Sequence, residues 1–247
     1  MIENNIIFES RLERVFYYIW NNFNHTKMKI VSIISILLIS FSFISFSQTV
    51  TIGSQVWMNK NLDVNTFRNG DTIPEVKTIE DWVKAGENKQ PAWCYYENDP
   101  GNGPKYGKLY NWYAVNDPRG LAPSGYHIPT SAEWTNLIDF LGGTSIAGKK
   151  MKSLKSYDRY KGKKDNSTNE FGFSGLPGGG RNEIGRFYDI GVDSDWWSST
   201  EDDVDVIEDP KQNHLSAMYF GVISTYDAVN FSLVNKVRGL SVRCLKD

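Results

Sequence analysis

The sequence predicts an α+β domain, with helices in its first half and strands at both ends. A capping box at Thr130-Ser131-Ala132-Glu133 is the clearest helix signal, because Thr130 and Glu133 can each bond the other's backbone. The apolar residues after it fall at helical spacing and predict a core-facing stripe: Trp134, Leu137, Ile138 and Leu141. Three later segments, 216–222, 228–234 and 239–245, alternate as strands do.

The elements before the capping box follow from local signals. Segment 49–57 predicts a first strand that 61–67 continues, and Asn69-Gly70 predicts the turn after it. Thr78, with Asp81 three residues later, predicts the N-terminus of a short helix that ends at Gly86. Residues 91–96 are extended and aromatic.

The elements after the capping box are shorter. Gly142-Gly143 ends its helix, and a second short helix is predicted within 146–154. Residues 153–170 are polar and lysine-rich, which predicts an exposed loop. The segment 171–181 has glycines but no GK[ST] ending, so they indicate positive φ or close backbone approach rather than phosphate binding. Residues 196–200 predict a short strand.

The N-terminus has the layout of a secretory signal. Lys27 and Lys29 precede an uncharged apolar run at 30–46, and small residues precede Gln48 at the −3 and −1 positions. We therefore predict a 28–47 signal peptide, a 1–27 extension and a 48–247 domain. Either translation starts at Met28, which the usual layout favours, or the segment is an uncleaved anchor and the chain's one membrane contact.

Export through the Sec route predicts a secreted or cell-surface protein, with a periplasmic or outer-membrane-associated position also consistent. The formal net charge is −2, so no basic surplus exists to neutralise phosphates, and nucleic acid is excluded as a partner. His127 and His214 lie in no zinc-binding spacing, so we expect no metal at either.

The chain has two cysteines, Cys94 and Cys244, and both follow the export segment. An oxidising compartment favours a disulfide between them, whereas two buried free thiols are the alternative. Neither cysteine lies in a CxxC redox motif.

Six blocks of sequence, in this order, resemble the Fibrobacter succinogenes major paralogous domain family: IGSQVWMNKNLDV (52–64), YGKLYNWYAV (106–115), GLAPSGYHIPTSAEW (120–134), FGFSGLPGGGR (171–181), WWSSTE (196–201) and GLSVRCLKD (239–247). The family occurs in exported proteins, mostly of Bacteroidota and Fibrobacter-like bacteria, and has no settled activity. The resemblance implies a fold related to C-type-lectin-like domains and formylglycine-generating enzymes. In that fold two helices pack on a twisted, mostly antiparallel sheet whose first and last strands are adjacent.

The sequence departs from the family pattern at two positions. Ala122 stands where many members have cysteine, and Tyr126 stands where tryptophan is usual. The first departure leaves Cys94 as the one available partner for Cys244.

The resemblance and the export signal predict a non-catalytic binding or cell-surface module for an extracellular glycan or protein. Candidate binding residues are the polar and aromatic side chains near loops: Asn98, Asp99, Trp196, Trp197, Asp202 and Asp203. Trp196 and Trp197 alternate along a strand, so at least one is expected in the core. The acidic loop 201–209 offers oxygen ligands for calcium but lacks EF-hand spacing, and no other cofactor is expected.

Two other functions stay open from the sequence. A formylglycine-generating type of enzyme needs reactive cysteines, and a Cys94–Cys244 bond would leave none. We therefore predict no catalytic residues. A structural cell-envelope component without a small ligand is the third hypothesis, and sequence patterns do not separate it from a binding module.

Overall fold

The computed structural model describes residues 49–158, 165–201 and 215–247, together with Arg14 and Tyr18. The chain divides between Ser47 and Gln48 into two units. The second unit contains helices and several antiparallel sheets, which confirms the α+β class. The predicted signal peptide, the acidic residues at 202–209 and His214 lie outside the described residues. Within the described part of the chain, no helix has the length and apolar character of a membrane span.

Short helices separate the early strands, and three longer strands follow near the C-terminus. The strands are β1 (Thr49–Ile52), β2 (Gln55–Met58), β3 (Trp93–Cys94), β4 (Leu109–Tyr110), β5 (Tyr126–His127), β6 (Gly180–Arg181), β7 (Phe187–Tyr188), β8 (Asp193–Glu201), β9 (Ser216–Ile223), β10 (Val229–Asn235) and β11 (Leu245–Lys246). The α-helices are α1 (Ile79–Glu87), α2 (Gly103–Tyr106), α3 (Trp112–Val115), α4 (Ser131–Phe140) and α5 (Thr144–Met151).

The strands form four antiparallel sheets. One has the order β1-β2-β11-β5, the second has the order β10-β9-β8, and β3-β4 and β6-β7 are two-stranded. Leu245 of β11 pairs with Trp57 of β2, so the predicted adjacency of the first and last strands is confirmed. The predicted first strand is a hairpin, because Gly53 adopts a φ of 61° between β1 and β2.

Helix α4 begins as its sequence predicts. The Thr130 side chain accepts from the Glu133 backbone, and Glu133 accepts from the Thr130 backbone at 2.8 Å, which completes the capping box. Trp134, Leu137 and Ile138 are buried, so the predicted core-facing stripe is confirmed. The stripe packs α4 against the three-stranded sheet in a cluster with Phe173.

Three predicted elements need correction. The N-cap of α1 is Thr78 as predicted, but the helix continues to Glu87. Helix α5 ends at Met151 because Lys152 adopts extended backbone, so the predicted range 146–154 is wrong at both ends. Segment 239–245 is not one strand: it forms isolated bridges before β11, because successive residues pair with different elements.

Both tryptophans of β8 are core residues, so the prediction that they bind ligand is wrong. Trp196 and Trp197 are 0% exposed. Trp196 lies in the cluster around α4, and Trp197 lies in the cluster around Tyr110 on the other face of β8. The indole N–H of Trp196 donates to Asn61 at 2.9 Å, and that of Trp197 donates to the Tyr110 carbonyl at 2.8 Å. Strand β8 is covered on both faces, so alternation leaves neither indole in solvent.

The predicted disulfide is absent, because Cys94 and Cys244 are both free and buried. Cys244 lies in the cluster that contains Trp93, whereas Cys94 lies in a separate cluster with Trp82. Adjacent residues of a strand point to opposite faces, so Cys94 in β3 faces away from the side on which Trp93 joins the cluster of Cys244. The alternative of two buried thiols is therefore the one observed.

We expect neither cysteine to react with a thiol reagent in the folded protein. Burial raises the pKa of Cys94 and of Cys244 to about 12, so almost no nucleophilic thiolate forms at neutral pH. Intact mass after iodoacetamide treatment at pH 7.5 should be unchanged for the native protein. In urea without reductant both thiols should be alkylated. Protein that resists alkylation in urea until it is reduced would contain a disulfide and would contradict the structure.

Candidate ligand-binding cavity

A cavity of about 450 Å³ lies at one end of the three-stranded sheet. Here β8 begins, β9 ends and β10 begins, so residues far apart in the chain meet around one space. Its lining combines apolar, aromatic and polar side chains: Asp189, Val192, Asp193, Ile223, Tyr226, Ala228, Val229 and Asn230. The volume falls in the range of natural ligand pockets.

The first wall is the turn that leads into β8. Asp189 has a φ of 57°, and its carbonyl accepts from the backbone of Val192 at 3.1 Å and of Asp193 at 2.9 Å. Gly179 packs under this turn with a φ of 61°, and a Cβ there would overlap the Tyr188 carbonyl. The predicted role of the glycine-rich segment, close backbone approach, is confirmed at this residue.

The second wall is the turn between β9 and β10, and the side chain of Lys152 is hydrogen-bonded to this turn. Its ammonium donates to the carbonyl oxygens of Ser224 at 2.7 Å and of Ile223 and Tyr226, each at 3.1 Å. It also bonds Asn166. Burial lowers the pKa of Lys152 to about 8. A buried lysine that bonds three carbonyls of one turn fixes the shape of this wall.

Two carboxyl groups lie on the same face of β8, since Asp193 and Asp195 are two residues apart. Asp195 is 7% exposed, and the Tyr188 hydroxyl donates to it at 3.4 Å. Burial raises the pKa of Asp195 to about 7, and the nearby Asp193 charge acts in the same direction. The pKa of Asp193 is raised to about 7 as well, by burial and then by Asp189.

Two buried polar atoms without a partner among the described residues lie in this region. Of the four buried side-chain polar atoms that lack a hydrogen-bond partner among the described residues, Asp193 Oδ1 belongs to the cavity lining. A second, Ser224 Oγ, belongs to the turn of the second wall, where the Ser224 backbone donates to Val192 at 2.9 Å. Native proteins pair most buried polar atoms, so each of these two oxygens is a place where a buried water would donate a hydrogen bond.

The family model of the Fibrobacter succinogenes major domain matches residues 50–246, a range that contains every element of the cavity. The chain belongs to this family. No curated protein and no solved structure matches the chain. The predicted resemblance is confirmed.

The binding residues expected for this Fibrobacter succinogenes major domain lie elsewhere. Asn98 donates to the Lys77 carbonyl at 3.1 Å, and Asp99 accepts from the Gly101 backbone at 2.8 Å, so both shape a local turn. Neither lines the cavity. Asp202 and Asp203 lie outside the described residues, so their role stays a prediction.

Sequence patterns missed the residues that do line the cavity, among them Asp189, Asp193, Tyr226 and Asn230. One signal was present. Asp193 and Asp195 alternate along the chain and directly precede two tryptophans. Two adjacent tryptophans indicate a strand that is buried on both faces, and carboxylates next to them in that strand are then buried as well. The other lining residues come from turns and from the ends of β9 and β10, and no local pattern distinguishes them.

His127 is held in a separate cluster rather than in the cavity. Its Nδ1 bonds Asp247 at 2.8 Å and its Nε2 bonds Glu133 at 2.9 Å. Burial alone lowers the pKa of His127, but these two hydrogen bonds outweigh burial and the net shift is upward. Among the described residues, no three side chains of the metal-binding types are grouped around one point. Calcium binding by the acidic loop stays a prediction, since only Glu201 of it is described, in an ion pair with Lys236.

Proposed function

We propose that this domain is an exported saccharide-binding module and that a sugar unit enters the cavity at the end of the β8–β10 sheet. The cavity itself is the observation that supports this function best. Its polar groups come from separate elements: Asp189 lies in the turn before β8, and Asp193 of β8 and Asn230 of β10 lie on the same face of the sheet. A ligand with several hydroxyl groups matches separate polar groups better than a single polar head group does.

The apolar part of the lining supports the same ligand class. Tyr226 is 44% exposed and presents a ring at the cavity rim, beside Ile223 and Val229. A sugar ring has an apolar C–H face, which packs against aromatic and aliphatic side chains while its hydroxyls bond polar ones. The combination distinguishes the cavity from a purely ionic site.

The state of the cysteines favours binding over catalysis of the formylglycine-generating type. That chemistry needs reactive thiols, and burial of Cys94 and Cys244 raises both pKa values to about 12. Export of the domain and its kinship to C-type-lectin-like folds are part of this proposal. They rest on the signal layout, the family resemblance and the pairing of β2 with β11.

A glycan array probed with the purified protein, with and without calcium, tests the proposal. We expect binding that does not require calcium and that falls about tenfold in Tyr226→Ala, which removes the aromatic ring from the cavity lining. Phe231→Ala is the matched control, because Phe231 is 49% exposed on β10 but lies outside the lining, and it should bind as the wild type. A protein that binds no saccharide above background would favour the structural cell-envelope role instead.

A further inference from the structure

We infer that His127 is a proton-dependent link between helix α4 and the residue that follows β11. Its imidazolium form joins Glu133 to Asp247, and loss of one proton from the ring releases Asp247. Two observations carry the inference: each ring nitrogen bonds a carboxylate, and the two carboxylates differ in their other partners. The link is separate from the cavity at the end of the β8–β10 sheet and does not depend on what that cavity binds.

Both ring nitrogens of His127 face carboxylate oxygens. Nδ1 lies 2.8 Å from Asp247 Oδ1, and Nε2 lies 2.9 Å from Glu133 Oε1. An ionised carboxylate only accepts hydrogen bonds, so each nitrogen must carry a hydrogen for both bonds to form. The neutral ring has one N–H and can make only one of the two bonds. The observed pair of bonds therefore requires the imidazolium ion.

The charges around the ring favour the same ion. Glu133 faces it from α4 and Asp247 faces it from the end of β11. Arg68 is the cation that lines a cavity of about 300 Å³ together with His127, and its guanidinium donates to two backbone carbonyls. Lys246 follows the residue of β11 that pairs with His127, so it points to the opposite face of the sheet. Burial opposes the charge on His127, but the bonds and charges of the two carboxylates outweigh burial and raise its pKa above 6.5.

The two carboxylates differ in what remains to them when the ring loses a proton. Glu133 belongs to the capping box, and its Oε2 accepts from the Thr130 backbone at 2.8 Å and from the Thr130 hydroxyl at 2.9 Å. The side chain of Glu133 is 29% exposed, whereas that of Asp247 is 57% exposed. Water therefore replaces the ring more readily at Asp247 than at Glu133. The Nδ1 proton passes to water, the Nε2 proton stays on the bond to Glu133, and the ionised Asp247 side chain is released.

Release of Asp247 weakens the edge of the first sheet. Strand β5 is the edge strand, and it pairs with β11 through Tyr126 and His127. The Asp247 backbone extends this pairing by donating to the Gly125 carbonyl at 3.1 Å. The bond from His127 to Asp247 joins the same two segments through their side chains. The link therefore stabilises the pairing of β5 with β11 at mildly acidic pH, and this stabilisation is lost at alkaline pH.

Nuclear magnetic resonance of the full chain, labelled with ¹⁵N at histidine and titrated from pH 5 to pH 9, tests the inference. The chain has three histidines, and His127→Gln identifies the His127 signals by their loss. We expect His127 to titrate above pH 6.5, and we expect the neutral ring to carry its proton on Nε2, which the ¹⁵N shifts report directly. Asp247→Asn should lower the midpoint by about 0.5 pH unit or more, because it removes one of the two charges. Asp139→Asn, at an exposed residue of α4, is the matched control and should leave the midpoint unchanged.

Urea unfolding gives a second measurement. A folded-state pKa above 6.5 contributes stability that is fully present below pH 6.5 and is lost as the pH rises through the folded-state value. The wild type should therefore be more stable than Asp247→Asn at pH 6, and the two should be equally stable at pH 9.

Three results would overturn the inference. A His127 midpoint at or below pH 6.5 would mean that the two carboxylates do not hold the imidazolium ion. A neutral ring with its proton on Nδ1 would keep Asp247 bound and release Glu133 instead. An equal difference in stability between the wild type and Asp247→Asn at pH 6 and pH 9 would mean that the bond does not depend on the proton.

Discussion

Replacing Asp195 with asparagine should stabilise the ligand-free protein at pH 8 and leave its stability at pH 4 nearly unchanged. Burial, followed by the charge of Asp193, raises the pKa of Asp195 from 3.8 to about 7 in the folded state. A raised folded-state pKa means that the folded protein holds the proton more tightly than the unfolded chain. The carboxyl group therefore contributes stability that is fully present below pH 3.8 and is lost as the pH rises through 7.

Above pH 7 the wild type must bury a charge that asparagine does not have. The difference in the free energy of unfolding should reach about 2–4 kcal/mol at pH 8, on the scale of about 1.4 kcal/mol per pKa unit. Asparagine keeps an oxygen that accepts from the Tyr188 hydroxyl, so the hydrogen bond to Asp195 survives the change. Urea unfolding at pH 4, 6 and 8 measures the difference.

Asp139→Asn is the control for this experiment, since Asp139 is exposed and should change stability little at any of the three pH values. Loss of stability in Asp195→Asn at pH 8 would mean that the Asp195 charge is compensated in the free protein.

Local features of this fold were predictable from the sequence, because a few neighbouring residues determine them. The capping box of Thr130 and Glu133 depends only on two residues three positions apart. The N-cap at Thr78 depends on the same spacing, because its side chain accepts from the backbone of Asp81. The adjacency of β2 and β11 was also predicted, from the family resemblance rather than from pattern.

Features that depend on tertiary neighbours were not predictable. Strand alternation places Trp196 and Trp197 on opposite faces, but only the packing of two clusters shows that both faces are buried. The face to which Cys94 points depends on how β3 is set against β4. The cavity depends on the sheet order β10-β9-β8, which brings its lining residues together. It also depends on the hydrogen bonds from Lys152 to a turn more than seventy residues later in the chain.

The largest loss of stability that we predict is for Arg243→Met. Arg243 is 0% exposed, and its guanidinium donates to the carbonyl oxygens of Met58 at 3.0 Å and of Phe173 at 2.7 Å. It also donates to Asn61 Oδ1 at 2.9 Å, so all these acceptors are uncharged. Burial lowers the pKa of Arg243 to about 9, which reflects the cost of a charge with no carboxylate beside it among the described residues.

Methionine fills part of the volume but donates no hydrogen bond. The carbonyls of Met58 and Phe173 would lose this donor in the interior, and each such loss costs about 1–3 kcal/mol. We therefore expect a loss of roughly 3–5 kcal/mol, a large part of the roughly 5–15 kcal/mol typical of a domain, measured by urea unfolding at pH 7. Arg243→Lys keeps the charge without the planar fork and should recover only part of the loss.

Arg186→Met is the matched control, because Arg186 is exposed and its removal should stay within about 0.5 kcal/mol of the wild type. A small effect of Arg243→Met would show that relief of the buried charge offsets the lost hydrogen bonds. The distinction matters for the fold, because Arg243 joins β2, Phe173 and the segment before β11 at one point. Gly239, Leu240 and Ser241 each form a bridge with a different element, so this segment lacks a continuous ladder of backbone hydrogen bonds. Side-chain hydrogen bonds such as those of Arg243 hold it in place instead.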